Sequence, residues 1–311
     1  MYMNSTLYII GNGFDLANKL PTSYENFRKY LIKKSKESQK EHNNFFVIQK
    51  KGKLAPDDFQ NATLMIRMID SALARVYHKK QDWRYFEDIL GRLKYEDIWK
   101  DESKNAMNGV IIHIAFTRLR DYFKEWILSI DLKQARPING FPQKSNALFL
   151  SFNYTAVLET IYHVLPDNIC HVHGVCGDTE LIFGHKELEE RNFKNDTDVE
   201  RQVAIVREML LKDTEACYSE HYDFFNRINK QIKEVVSIGF SYADVDMYYI
   251  DKIIKNVGND TIWYLHMYNF KDTMCFKHKI RKCGFRGKIK MFKNIECSNN
   301  QWEETDNYWK K

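Results

Sequence analysis

The sequence contains no run of about 18 apolar residues, which is the length that a transmembrane helix requires. Its N-terminus also lacks the basic, then apolar, then small-residue order of a secretory signal peptide. We therefore expect a cytoplasmic protein that does not enter a membrane. The 6 cysteines are scattered and form no Cys-x-x-Cys pair, so no metal site is predicted. Free thiols in a reducing compartment are expected.

Charge of one sign is not strongly in excess either, because the formal net charge is only +5. Lysines and arginines are spread along the chain, apart from the short pairs Lys33-Lys34 and Lys50-Lys51. A mild positive charge suits a small anionic ligand as readily as a nucleic acid. A chain of 311 residues can hold one large α/β domain with an inserted helical module.

The N-terminal glycine turn is the first candidate ligand site, although it lacks one glycine of the standard dinucleotide-binding loop. The apolar run Leu7–Ile10 ends at Gly11-Asn12-Gly13, and Leu16 stands where the third glycine would be. This pattern predicts a buried strand whose following backbone can approach a ligand closely. An ordinary strand-to-helix turn explains the same residues about equally well.

Later apolar runs alternate with helical patterns, which predicts a mostly parallel sheet. Residues 56–133 show helical spacing and no strand signal, so they are expected to form a helical insertion within a single domain, 1–311. Aromatic residues in that block are expected in the core: Trp83, Phe86, Trp99 and Trp126. The predicted strands after the first are Ala147–Phe152, Ile169–His173, Glu180–Phe183, Val235–Gly239, Ile262–His266 and Lys288–Phe292.

Polar residues follow two of the central strands. Asn153 comes at the carboxyl end of a buried strand, where chemistry is usual in parallel sheets, although asparagine is also a good helix cap. Strand alternation sends His171 and His173 to one face, but two histidines need a third ligand to hold a metal. His173, which precedes Gly174 at a strand end, is therefore favoured as a general base.

Two further strand ends carry candidate ligand contacts. His185 follows Gly184, and a structural role and a ligand contact are equally good interpretations of it. Gly239, Ser241 and Asp244 follow the apolar run Val235–Ile238 and repeat the logic of the opening turn. Two such turns indicate that they border one crevice.

Together these motifs resemble the AbiH family of bacteriophage abortive-infection proteins over nearly the whole chain. The residues that carry the resemblance are Leu7–Asp15, Leu20–Tyr24, Phe152–Thr155, His171–Gly174, Phe183–His185 and Gly239–Asp246. More distantly the chain is similar to sirtuins, which implies a Rossmann-like, sirtuin-like α/β fold. Thr155 stands where sirtuins have an aspartate, and the four-cysteine zinc module is absent.

The resemblance implies that the chain hydrolyses NAD at the nicotinamide–ribose bond when phage infects. It implies catalytic roles for Asn153 and His173. It implies that the backbone amides of the first turn cradle the pyrophosphate and that other groups contact ribose. The residues in these binding roles are Gly11, Asn12, Gly13, Phe14, Asp15, Gly239, Ser241, Asp244 and His185.

Two alternatives stay open. The first is a nucleotide-sensing subunit with a degenerate site, which Thr155 in place of the sirtuin aspartate favours. The second is a nuclease acting on tRNA or DNA, which the mild positive charge permits and the lack of a carboxylate cluster disfavours. The expected ligand is NAD or a related nucleotide. Assembly with a second copy or with a defence-system partner is left open.

Overall fold

A computed structural model describes residues 5–45, 58–78, 82–98, 106–138, 141, 147–178, 180–187 and 197–293. The chain divides into two compact units. The sheet unit comprises Met1–Pro21, Ile130–Thr179 and Asp213–Lys311, and the helical unit comprises Thr22–Ser129 and Glu180–Lys212. The bounds 56–133 for a helical insertion stay a prediction.

The sheet unit is built on a parallel sheet, which confirms the predicted α/β class. The strands are β1 Thr6–Ile10, β2 Ala147–Ser151, β3 Ile169–His171, β4 Glu234–Ile238, β5 Ile262–His266 and β6 Lys288–Phe292. In the described part of the chain their order is β3-β2-β1-β4-β5-β6, and every pairing is parallel. This is the strand order of a Rossmann-like fold, whose ligands bind where the order reverses, beyond the carboxyl ends of β1 and β4.

Helices connect the strands and fill the second unit. Those of the sheet unit are α1 Asn12–Ala17, α7 Val157–Thr160, α9 Thr214–Glu220, α10 Tyr222–Asn226, α11 Met247–Asn256 and α12 Phe270–Lys282. Those of the helical unit are α2 Tyr24–Phe45, α3 Asp58–Tyr77, α4 Trp83–Leu90, α5 Ala106–Thr117, α6 Leu119–Leu128 and α8 Asp198–Met209. Within the described ranges, none of them combines the length and the apolar character needed to cross a membrane.

Buried aromatic rings hold the sheet unit together. Tyr8 of β1 lies opposite Phe149 of β2, and the two rings stack with their centroids 4.8 Å apart. Phe14 of α1 packs on Phe141 and Tyr162 at 5.0 and 5.4 Å. Every residue of β1 and β2 is buried, as expected for strands covered on both faces.

The helical unit has its own aromatic core. The Phe27 ring lies 5.4 Å from Phe123 and 5.2 Å from Trp126, and Trp83 packs on Phe86 at 5.4 Å. These contacts and the burial of both side chains confirm the prediction of core packing for Phe86 and Trp126. Trp83 packs on the same rings but is only half-buried, and Trp99 lies outside the described residues. The rings meet because the helices carry them at helical spacing on one face.

Two details of the strand prediction are wrong. Glu180–Phe183 forms no strand and belongs to the helical unit, where the following His185 exchanges backbone hydrogen bonds with Leu210 and Lys212 at 3.1 and 3.0 Å. The third strand ends at His171, so strand alternation does not reach His173. A short apolar run has the same sequence pattern whether its backbone pairs with a strand of the sheet or with the end of a helix.

The two glycine turns at the carboxyl ends of β1 and β4 lie directly against each other. The N–H of Gly11 donates to the Ile238 carbonyl at 3.0 Å, and that of Gly13 donates to the Gly239 carbonyl at 2.9 Å. A Cβ on Gly13 would lie 2.6 Å from the Gly239 Cα. Gly239 itself has a φ of +64°, and a Cβ on it would overlap the Phe14 amide. Only glycine allows the two backbones to come this close.

We expect Gly239→Ala to destabilise the protein far more than Gly284→Ala. Both glycines have positive φ, at +64° and +98°, but a Cβ at position 284 meets nothing within 4 Å. Backbone strain therefore costs about 1–2 kcal/mol in each variant, and overlap adds a further 1–3 kcal/mol at Gly239 alone. Denaturant unfolding of the two variants measures the difference. Equal losses would contradict the close backbone contact.

Candidate functional site

Three polar side chains form a buried cluster at the carboxyl ends of β1 and β2. Asp15 of α1 receives hydrogen bonds on both carboxylate oxygens, from Asn153 Nδ2 at 2.7 Å and from the Thr155 hydroxyl at 2.6 Å. The exposed fractions of Asp15, Asn153 and Thr155 are 1, 5 and 4%. The hydrogen bond to Asp15 therefore fixes the side-chain amide of Asn153 in a place shielded from bulk water.

Burial raises the pKa of the Asp15 carboxyl to about 7. The hydrogen bonds from Thr155 and Asn153 and the nearby His171 oppose this shift, because each of them favours the ionised form. A buried carboxylate with two donors and no cation in direct contact is expensive to ionise. Asp15 consequently changes charge near neutral pH.

Asn153 is fixed at its backbone as well as at its amide. Its N–H donates to Ser151 Oγ at 3.2 Å, and its carbonyl accepts from His171 Nδ1 at 3.1 Å. Because Nδ2 is used by Asp15, Oδ1 is the atom left for another donor, and among the described residues this buried oxygen has no hydrogen-bond partner. An unsatisfied buried acceptor is costly and often marks a place where a ligand or water binds.

His171 supports this arrangement. It lies beside Ser151 in the β2–β3 pair, and its Nε2 is 2.7 Å from Glu159 Oε1 on α7. Burial alone would raise the pKa of Glu159, but the hydrogen bond and charge of His171 hold it below its usual value. The carbonyl of Asn153 and a carboxylate both only accept, so both bonds form when both ring nitrogens of His171 carry hydrogen.

His173 lies in a different environment, among aromatic rings. Its ring is 5.4 Å from Phe152, 5.6 Å from Tyr249 and 6.5 Å from Tyr154. Its Nε2 lies 3.6 Å from Oδ1 of Asp246. Only 2% of His173 is exposed, so substrate reaches this ring only if part of the aromatic cover moves.

The segment after β4 is held from two sides. Tyr242 has a φ of +50° and is buried, and its hydroxyl accepts a hydrogen bond from Trp263 Nε1 at 2.9 Å. Lys279 of α12 donates to the Tyr242 carbonyl at 2.7 Å and to Asp244 Oδ1 at 2.6 Å. Asp244 is thus an exposed partner of Lys279, and Ser241, three residues earlier in the chain, is half-buried.

Most amides of the first glycine turn are already hydrogen-bonded. Gly11 and Gly13 donate to the turn after β4, and the Phe14 N–H donates to the Gly11 carbonyl at 2.8 Å. Asn12, at the start of α1, is half-buried. The glycines are explained by backbone packing without reference to a pyrophosphate, and the cradle stays a prediction.

His185 belongs to the helical unit. Its Nδ1 lies 2.7 Å from the Lys186 carbonyl, and its Nε2 lies 2.8 Å from the Arg207 carbonyl. Its ring packs against the position where Gly91 has no Cβ. Local backbone contacts thus engage both ring nitrogens, and the ligand contact stays a prediction.

The sequence-based reasoning missed the contacts that organise the site. Asp15 was expected to reach ribose, whereas both of its oxygens bind Asn153 and Thr155. Asp246 was not chosen as a site residue, although it lies beside His173. Its sequence signals were its place at the end of the motif Gly239–Asp246 and its position directly before an apolar helical pattern, where aspartate usually caps the helix.

Comparison with protein-family models gives one finding. The model described as bacteriophage abortive infection AbiH matches residues 7–268, which include every residue of the buried cluster. Comparisons with curated proteins and with solved structures give no match.

We expect Asp15→Asn to remove one component of the pH dependence of stability. The folded-state pKa of Asp15, about 7, lies above the ordinary value of 3.8 for an aspartate carboxyl. Its contribution to stability is therefore full below about pH 4 and is lost as pH rises to about 7. The difference in unfolding free energy between wild type and variant should fall by up to about 4 kcal/mol over that range.

Urea unfolding at a series of pH values measures this difference. Asp251→Asn is the matched control, because Asp251 is a partly exposed partner of Lys255 on α11. Parallel stability curves for wild type and Asp15→Asn would contradict the assignment.

Proposed function

The chain belongs to the AbiH family of bacteriophage abortive-infection proteins, and from that premise we propose that it acts by hydrolysing NAD at the nicotinamide–ribose bond. The observation that carries the proposal is the buried, unsatisfied Oδ1 of Asn153 at the carboxyl end of β2. His173 follows the neighbouring strand β3, and Phe152, next to Asn153 in the chain, contacts its ring. A hydrogen-bond acceptor and a base at one sheet edge suit attack of water on a sugar.

The reaction needs few groups. As the bond from ribose C1′ to nicotinamide breaks, its electrons pass to the ring nitrogen, and positive charge develops on the sugar. Water adds to C1′ and gives up a proton. His173 accepts that proton, directly or through a ribose hydroxyl, while Asn153 Oδ1 accepts a hydrogen bond from the water or from a hydroxyl.

Asp15 has a positioning role in this proposal. Because the carboxylate only accepts hydrogen bonds, it fixes the amide of Asn153 with Nδ2 toward itself. Oδ1 is then presented as an acceptor in one orientation. This role replaces the direct ribose contact that the resemblance implies for Asp15.

Thr155 supports an intact site rather than a degenerate one. A sirtuin-like aspartate at this position would put a second carboxylate within hydrogen-bond distance of Asp15, and two such charges repel strongly. The Thr155 hydroxyl instead donates to Asp15 at 2.6 Å. Asp15 on α1 supplies the carboxylate of the site. It therefore compensates for the lack of an aspartate two residues after Asn153.

The burial of His173 favours one second candidate, a nucleotide-sensing subunit. A ring that is 2% exposed is suited to respond to a ligand that opens its cover. The amides of Gly11, Gly13 and Phe14 also already donate to backbone carbonyls, which fits a site that has lost part of its catalytic equipment. A sensing subunit would bind NAD and leave it intact.

We expect His173→Ala and Asn153→Ala each to lower nicotinamide release from NAD by roughly 100-fold or more, the scale for loss of a positioned acid–base group. The measurement is nicotinamide released by the purified protein and the cellular NAD level after phage infection. His278→Ala is the control, because His278 lies exposed on α12. His171 does not serve as a control, since it holds the Asn153 carbonyl.

The same preparations incubated with RNA and with DNA separate the alternatives. NAD binding without nicotinamide release, before and after infection, would favour the sensing subunit. Polynucleotide cleavage that survives in both variants would favour a nuclease.

A further inference from the structure

We propose that Asp246 is the positioning residue of His173, holding one tautomer of the ring and stabilising the imidazolium that forms in the reaction. The inference rests on the proposed NAD hydrolysis. The carboxylate Oδ1 lies 3.6 Å from His173 Nε2. The side chains are only 8% and 2% exposed, so their interaction is weakly screened by water.

The local structure of Asp246 indicates that its side chain serves something other than the helix. Asp246 stands at the N-cap of α11, where aspartate normally accepts a hydrogen bond from the first-turn amides. Here the side chain makes no capping hydrogen bond. The carboxylate Oδ1 instead lies 3.6 Å from Nε2 of His173.

The backbone of Asp246 is held in place. Its N–H donates to the Ala243 carbonyl at 3.0 Å, and its carbonyl accepts from the Tyr249 N–H at 3.2 Å. The carboxylate is thus carried on the rigid start of a helix. A gap of 3.6 Å is long for a hydrogen bond, but such catalytic contacts often shorten when substrate binds.

The nearby Asp244 does not compete for this role. Its side chain is 77% exposed and pairs with Lys279 at 2.6 Å. The two carboxylates are two residues apart in the chain, yet one faces solvent and the other lies in the interior. This separation distinguishes Asp246 from the sequence-based choice of Asp244.

Asp246 and His173 together account for the transfer of the proton that water loses. An ionised Asp246 only accepts, so it favours hydrogen on Nε2 of His173 and leaves the lone pair on Nδ1. Nδ1 then takes the proton that water loses on adding to C1′. The resulting positive ring faces a carboxylate, and after nicotinamide and ADP-ribose leave, the proton passes to solvent.

Two tyrosines are among the titratable groups near His173, and the cysteines Cys170 and Cys217 lie near one of them, Tyr249. Tyr249 of α11 and Tyr154, which follows β2, both face its ring. Burial raises the pKa of Tyr249 well above its usual value, so this phenol stays neutral at ordinary pH. Asp246 contributes a carboxylate oxygen 3.6 Å from the Nε2 of this ring.

The test is Asp246→Asn, with Asp246→Ser as a second variant that removes the carboxylate and leaves a small polar side chain. We expect kcat for nicotinamide release to fall at least about 10-fold, with KM little changed. The acidic limb of the pH–rate profile should move to lower pH, because the imidazolium loses its carboxylate. In the His173→Ala background, Asp246→Asn should have no further effect. Asp251→Asn, the same change at a partly exposed position of α11, should leave kcat, KM and the pH–rate profile unchanged.

A readout independent of activity is the 15N NMR spectrum of the His173 ring, which reports the nitrogen that carries hydrogen. We expect Asp246→Asn to change it and Asp251→Asn to leave it as in wild type. An unchanged spectrum in both Asp246 variants, or fully additive losses with His173→Ala, would overturn the proposal. A changed spectrum in a protein that never releases nicotinamide would support the pair while refuting NAD hydrolysis.

Discussion

The close contact between two glycine turns determines the geometry on which the site depends. β1 and β4 are neighbours at the centre of the sheet, and the turns that leave their carboxyl ends are joined by hydrogen bonds from Gly11 and Gly13. Gly239 has a positive φ and no room for a Cβ, so the backbone conformation of this turn is strongly restricted. α1 therefore starts at a fixed place, and Asp15 on it is directed toward the end of β2.

The burial of Asp15 explains the polar contacts at the carboxyl ends of β1 and β2. An ionised carboxylate without water needs donors, and the chain after β2 supplies two of them, Asn153 and Thr155. His171 and Glu159 then fix the Asn153 backbone from the side of β3. A buried network of this kind is stable only if nearly every member is satisfied. Two oxygens of this network have no partner in the described residues, Asn153 Oδ1 and Glu159 Oε2. Asn153 Oδ1 is the more informative of the two, because it lies at the carboxyl end of β2, where ligands bind in this type of sheet.

The errors of the sequence reasoning have physical causes. Glu180–Phe183 has the composition of a strand, but its continuation pairs with the end of α8, a partner that local pattern cannot reveal. The glycines of the first turn pack on the turn after β4, and their ligand role stays a prediction, because close backbone approach looks the same for a phosphate and for another loop. His171 and His173 were grouped by alternation, which fails once the strand ends between them.

The sequence by itself determined the sheet and the position of its turns, and it singled out Asn153 and His173 as candidate site residues. Apolar periodicity and glycine are local signals, so they survive without knowledge of the fold. Only the tertiary structure decided the partners: Asp15 with Asn153, and Asp246 rather than Asp244 with His173. These pairs are separated by many residues in the chain. Whether a carboxylate faces solvent or a buried ring depends on packing between elements, which no local pattern encodes.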